Sequence, residues 1–220
     1  MDFRCSPNNI NPIIRGYFAG YKNLAVPYCI LAVWNCIPAV SLRLTGRLAT
    51  PPALYGVGGL ISIPVFANTT IKPAMAVLAL FAAVYGPVIG FLVGFLGHLL
   101  TDLFAGWGVW LTWVLGSGIV GAAIGLFGRM TEHSIDKGEL KRSAIGLFIL
   151  LSFLGNFIGY MISAILDYLI FAEPMDKVIT QQLIIAFSNT IVIAILGTLL
   201  LLLVVRRTTS KMNLQKDNEA

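Results

Sequence analysis

His98 and Asp102 stand four residues apart in GFLGHLLTDLF, so on a helix the imidazole and the carboxylate share one face. A pair of this kind can form an oriented hydrogen bond, act as an acid–base couple or, with further ligands, hold a metal. No further metal ligand stands close by, so the expectation is an oriented His98–Asp102 hydrogen bond that can also touch a bound ligand. Asn156, Tyr160, Ser163 and Asp167 follow at intervals of four, three and four, which draws one polar stripe down an otherwise apolar stretch. Asn189 is equally out of place in an apolar run. Trp107, Trp110 and Trp113 recur every three residues next to Asp102. Interfacial anchoring accounts for one or two of them, and three in a row could wall a flat ring by stacking.

The elements that carry these residues are set by composition. Of 220 residues 57% are hydrophobic and 11% charged, with a mean hydropathy of +0.84. A soluble domain of that length needs more charge to cover its surface, so the outer face must meet lipid. An all-α, polytopic integral membrane protein is therefore expected. Polar side chains at membrane depth are costly, face protein or a water-filled cavity, and often mark a ligand path. The net charge of +5 gathers in one loop and at the C-terminus, which is a topology signal and excludes a nucleic-acid partner. The start, MDFRCSPNNINPIIRG, lacks the apolar core of a cleavable signal. Cys5, Cys29 and Cys36 form no C-x-x-C pair, so neither a metal site nor a disulfide framework is expected. H-E-x-x-H, G-x-S-x-G and G-x-x-x-x-G-K-[ST] are all missing. No cofactor or catalytic residue is expected, and any energy for active transport has to come from another subunit.

Six spans are expected: Ala53–Phe66, 73–84, 87–100, 109–127, Ser143–Ile170 and Leu183–Val205, with Tyr85-Gly86-Pro87 marking a turn. Arg129, Lys137, Lys141 and Arg142 lie in one loop, and Arg206, Arg207, Lys211 and Lys216 follow the last span. The connections at 67–72, 101–108 and 171–182 carry few basic residues, which places them outside and both termini in the cytoplasm. The domain reading is an atypical segment at 1–52 (surface, re-entrant or misread), a six-helix domain at 53–206 and a cytoplasmic tail at 207–220.

Gly86, Gly90 and Gly94 recur every four residues, as do Ser117, Gly121 and Gly125, and Ala53, Gly56 and Gly59 add a shorter small-residue surface. Such faces let backbones approach closely, either within the bundle or against a partner subunit.

Between Ala53 and Val205 the chain resembles the S components, the substrate-binding membrane subunits of energy-coupling factor (ECF) vitamin transporters, nearest the riboflavin-type branch. The carrying segments are residues 67–126, from ANTTIKPAM to GAAIGL, and LDYLIFAEPMDKVITQ at 166–181, followed by Asn189. Within them N-T-x-I, Y-G-P-V-x-G, G-H-x-x-x-D, W-x-x-W-V-x-x-S-G and E-P-x-D-K-V occur in order. The resemblance implies six helices, a multi-pass protein of the cell membrane, and a vitamin-sized ligand captured from outside. Its partners would be a coupling transmembrane subunit and two ATPase subunits. The riboflavin label leaves thiamine, cobalamin or a precursor open. The stretch SLRLTGRLATPP, with two Arg and two Pro, departs from the small-residue-rich first helix through which the family meets its coupling subunit.

Three functions are weighed: a vitamin-binding S component, a membrane enzyme using His98 and Asp102, and an assembly subunit without ligand. The first is favoured, because the assembly reading leaves the stripe unexplained and no further catalytic group converges on His98; the enzyme using His98 and Asp102 is kept only as the lesser alternative. Substrate-binding residues are expected at Asn68, His98, Asp102, Trp107, Trp110, Asn156, Tyr160, Asp167 and Asn189, in a pocket between the last three helices. Partner docking is expected at Ala53, Gly56, Gly59, Gly86 and Gly90. The charge asymmetry yields a direct test in a variant lacking the three cysteines. Ser134→Cys is labelled by an impermeant maleimide only from the cytoplasmic side, and Met175→Cys only from outside. The reverse pattern would invert the topology.

Overall fold

The computed structural model describes residues 49–66, 69–106, 108–131, 134–138 and 140–219. The segment 1–48, and with it most of the atypical N-terminal stretch, lies outside the described residues, as do Asn68 and Trp107. Everything that follows belongs to the compact unit that runs from Leu48 to the C-terminus.

A short helix α1 occupies 49–58, with Pro51 and Pro52 in its first turn, where a missing N–H costs nothing. The chain then forms an antiparallel hairpin of β1 (Ile63–Phe66) and β2 (Thr69–Ile71), pairing Ile63 with Ile71 and Pro64 with Thr70. This corrects the expected helix over Ala53–Phe66, and it adds a small sheet to a fold expected to be all helical. Gly59 and Pro64 interrupt the helix, and Ile63, Val65, Thr69, Thr70 and Ile71 are β-branched.

Next come α2 (Met75–Tyr85), α3 (Pro87–Ala105), α4 (Leu111–Met130) and α5 (Arg142–Phe171). α6 (Met175–Val192) continues through a π-helical turn, Ile193–Gly197, into α7 (Thr198–Glu219). The break between α2 and α3 falls on the expected turn: Gly86 takes φ +91° and Pro87 opens α3. Two connections are shorter than expected. α3 extends through Thr101–Ala105, and α6 starts at Met175 behind Pro174, with Asp176 favourably placed in its first turn. The region after Val205 is no loose tail, because α7 carries the helix on to Glu219.

Among the described residues four helical stretches are long and apolar enough to cross a bilayer: Pro87–Ala105, Leu111–Met130, Arg142–Phe171 and Met175–Leu214. α2 is apolar but shorter. At 1.5 Å per residue α5 runs about 45 Å, more than the ~30 Å of hydrocarbon. The outer surface is apolar: Val88, Leu103, Ile165, Leu169, Ile191 and Ile195 are exposed. The interior is an apolar core into which Ser117, Asn156, Asp167, Gln182 and Asn189 are also buried. An apolar outside with polar groups turned inward suits a protein solvated by lipid.

The glycine faces are used inside the bundle. A Cβ added at Gly121 would stand 2.0 Å from the Gly90 carbonyl oxygen, and one at Gly94 would stand 2.1 Å from that of Ser117. α3 and α4 therefore touch backbone to backbone. Gly56 and Gly59 make room instead for the side chains of Leu100 and Thr101, and Thr101 Oγ1 donates to the Gly56 carbonyl at 3.1 Å. Of the residues expected to dock a partner, Gly56, Gly59 and Gly90 thus face other parts of this chain. Gly86 has open space where a side chain would stand, although its backbone packs against Gly125, and Ala53 is exposed.

Gly121→Ala accordingly forces α3 and α4 apart and destabilises the protein by about 3 kcal/mol, the cost typical of an overfilled contact. Gly146→Ala, at a position with no atom within 4 Å, leaves stability unchanged or slightly raised. Thermal unfolding of both variants in detergent checks the pair, and equal midpoints would refute the close α3–α4 contact.

Candidate functional site

A cavity of about 450 Å³ opens among the helix ends on the side of the β-hairpin. Its wall includes Tyr55 of α1, Pro64, Thr69 and Thr70 of the hairpin, Lys72, and Met75 of α2. α3 contributes His98 and Asp102, α4 Trp113, α5 Tyr160 and Asp167, and α6 Lys177, Gln181 and Asn189. Val178 and Ile185 of α6 and the connecting residues Gly108, Trp110 and Glu173 complete it. The site is therefore wider than the expected cleft between the last three helices, since every helix from α1 to α6 supplies a side chain.

α3 presents His98 and Asp102 on one face, as the spacing demands, with Nε2 3.5 Å from Oδ1. The imidazole is held by more than that carboxylate. Lys72 Nζ approaches Nε2 at 3.4 Å, and Nδ1 pairs with Ser117 Oγ at 2.6 Å. With both ring nitrogens engaged, His98 is built to hold position. The His98–Ser117 contact is possible because Gly94 and Gly121 let α3 and α4 meet closely. Burial holds the Lys72 ammonium below the usual lysine range, and the nearby Asp102 charge opposes that shift.

Asp167 is satisfied differently. Thr112 Oγ1 donates to its Oδ1, while Trp113 Nε1 at 2.7 Å and Gln182 Nε2 at 3.5 Å donate to Oδ2. The carboxylate fixes the indole of Trp113, whose ring meets Tyr160 edge-on at 6.4 Å between centroids. Asp102 accepts one long bond, 3.4 Å from the Trp110 N–H, and keeps more acceptor capacity. Trp110 packs on Phe171 with centroids 5.0 Å apart. At the rim Lys177 pairs with Glu173 at 2.6 Å, one turn apart.

Of the residues expected to bind a ligand, His98, Asp102, Trp110, Tyr160, Asp167 and Asn189 line the cavity. Asn156 does not. It is buried one turn deeper on the α5 stripe, where its Nδ2 donates to the Ser152 carbonyl at 2.8 Å and its Oδ1 has no partner in the protein. Ser163 is also fully buried away from the wall. A 3.6-residue repeat spreads a stripe over more than one environment, so not all of it faces the same space. Sequence reasoning passed over Tyr55, Thr69, Thr70, Lys72, Lys177 and Gln181 as site residues, and weighed Trp113 as a stacking wall without counting it among the binding residues. Lys72 had a signal, as the lone basic residue in a connection otherwise free of charge.

A membrane bundle with polar helix faces turned onto an aromatic and charged cavity is the architecture of a small-molecule-binding membrane subunit. Residues 44–206 match the family described as ECF-type riboflavin transporter, S component. The chain belongs to that family. Among curated relatives, a UPF0397 protein of Vibrio atlanticus (strain LGP32) is 58% identical over 169 residues, 76% of this chain and 93% of the relative. A UPF0397 protein of Vibrio vulnificus (strain YJ016) is 58% identical over 80% of this chain and 97% of its own length. One from Photobacterium profundum is 54% identical over 80% and 98%. No solved structure matches the chain.

The Asp167 cluster generates a specific expectation. Asp167→Asn turns one of its two acceptors into a donor facing Thr112, Trp113 or Gln182, and costs about 1–3 kcal/mol of stability. The Trp113 indole loses its anchor, which shows as a shift in tryptophan emission. A variant with wild-type unfolding and emission would show that the carboxylate does not hold the indole.

Proposed function

We propose that this chain is the ligand-capturing subunit of an ECF-type importer, taking a flat, hydrogen-bonding heteroaromatic vitamin from outside the cell. The single observation that carries this reading is the cavity itself. It sits within a membrane bundle, has a volume in the range of small-molecule sites, and combines indole and phenol faces with paired charges. Riboflavin is the first ligand to test, because the family description names it; thiamine, cobalamin or a precursor are the alternatives.

In this reading Trp113, held by Asp167, and Trp110, backed by Phe171, cover ring faces. Asp102, Tyr160 and Asn189 read ring edges, with Lys72 holding His98 behind them. The hairpin side of the molecule faces outward, and both termini and the 129–142 connection face the cytoplasm across the plasma membrane. Translocation is driven by a separate coupling subunit with two ATPases, for which Ala53 and Gly86 remain available as contact points.

The test is co-purification. Protein expressed in rich medium carries a ligand that absorbance and mass spectrometry identify after extraction. Titration back onto emptied protein then ranks the walls. Trp113→Ala weakens binding by roughly 1 kcal/mol beyond lost area, and Trp110→Ala by less, since Phe171 occupies part of its ring. Failure to recover or rebind any of the named vitamins would sink the reading.

A further inference from the structure

One continuous set of hydrogen bonds crosses the cavity wall from the β2–α2 connection to α6. Lys72 Nζ meets His98 Nε2 at 3.4 Å, and His98 Nδ1 meets Ser117 Oγ at 2.6 Å. Ser117 Oγ meets Tyr160 OH at 3.1 Å, and Asn189 Nδ2 donates to Tyr160 OH at 3.3 Å. The ends of this chain, an ammonium and an amide NH2, can only donate. The imidazole and two hydroxyls between them donate or accept according to where one imidazole proton sits.

Two orders are possible. In the first, Lys72 donates to a bare Nε2, the Nδ1–H donates to Ser117, and Ser117 donates onward to Tyr160. Tyr160 then accepts twice, from Ser117 and Asn189, and turns its own O–H to the cavity it lines. In the second, Nε2–H points at Asp102, Ser117 donates back to Nδ1, and Tyr160 spends its proton on Ser117. The cavity then meets only a lone pair of the phenol oxygen.

We propose that Lys72 enforces the first order, so that Tyr160 is a hydrogen-bond donor and the site selects a ligand with a carbonyl oxygen or bare ring nitrogen there. The second order sets two donors, Nε2–H and the ammonium, 3.4 Å apart in a buried site. The first strands no one, because Asp102 still has the Trp110 N–H and the Lys72 charge. A doubly protonated ring would bury a second cation beside Lys72. The Tyr55 O–H stands 3.2 Å from Met75 Sδ, a weak acceptor, and also reaches Ser117; donating to the second lone pair of Ser117 Oγ, it leaves the Ser117 proton free to go to Tyr160. Lys72 acts here as a positioning residue, three hydrogen bonds removed from the phenol whose polarity it sets. The ligand half of the proposal rests on the binding function above; the proton order does not.

Nitrogen-15 NMR of histidine-labelled full-length protein in nanodiscs tests the order without any ligand. His133→Gln removes the other imidazole. Wild-type His98 shows protonated Nδ1 and bare Nε2, Lys72→Met moves the proton to Nε2, and Lys72→Arg, which keeps a donor, leaves it on Nδ1. A proton on Nε2 in the wild type, or no movement in Lys72→Met, overturns the proposal. The ligand half is read with riboflavin by tryptophan quenching. Tyr160→Phe weakens binding about tenfold in the wild-type background, the worth of one neutral hydrogen bond, and less than about twofold in the Lys72→Met background. Equal losses in the two backgrounds, or no riboflavin binding to the wild type, overturn the ligand half while the NMR result judges the proton order separately.

Discussion

A hydroxyl or imidazole in the middle of an apolar bundle has no water to fall back on, so its partner must come from another helix. Ser117 and Tyr160 are buried and face each other across α4 and α5, with His98 on α3 and Asn189 on α6 completing the contact. That cluster fixes the rotation of four helices at once. A helix turned by one residue, about 100°, would remove its member and leave the others unsatisfied in a low-dielectric interior. Exposed Leu, Ile and Val on the outer faces impose no such demand, because one apolar side chain meets lipid as well as another. The rotational settings of the bundle are thus decided from the inside.

Such a cluster needs short distances between helix axes, which bulky side chains would prevent. Gly90 and Gly121 stand against each other, and Gly94 stands against the carbonyl of Ser117 itself. The residue that lets α3 reach α4 therefore lies next to the residue that α3's histidine binds. Small-residue packing and polar satisfaction are two aspects of one interface, and neither works alone. The same pairing recurs on a smaller scale between α1 and α3, where Gly56 and Gly59 come close enough for Thr101 to bond the α1 backbone.

Much of this was legible in the sequence, and the exceptions have physical causes. Long apolar runs gave α3, α4 and α5, and the Gly86-Pro87 break was visible because glycine and proline act through local sterics. The hairpin was missed because a short apolar run reads alike as helix or strand. The four-residue spacing gave the His98–Asp102 face correctly, but it carried no information on Lys72, which arrives from a connection 26 positions upstream. Asn156 marks the limit of a stripe argument: periodicity places a side chain on a face, and only the neighbouring helix decides what that face meets. Trp107 and Asn68 lie outside the described residues, so their place among the aromatic and polar walls is still an expectation.

The two buried carboxylates show how one cavity can hold both framework and recognition groups. Asp167 receives donors from α4 and α6 on both oxygens, and the bonds it makes set the pose of Trp113. Its acceptor capacity is largely committed before any ligand arrives. Asp102 has a single long backbone donor and a shared position beside His98 and Lys72. It can gain a better partner, whereas Asp167 can only lose one. In the proposed function a ligand's N–H edge therefore belongs at Asp102 and its acceptor edge at Tyr160, with the Trp113 face fixed between them by Asp167. Shape is supplied by the carboxylate whose acceptors are largely committed and selectivity by the one with acceptor capacity to spare. That division follows from the donor count at each oxygen and does not depend on which vitamin fills the space.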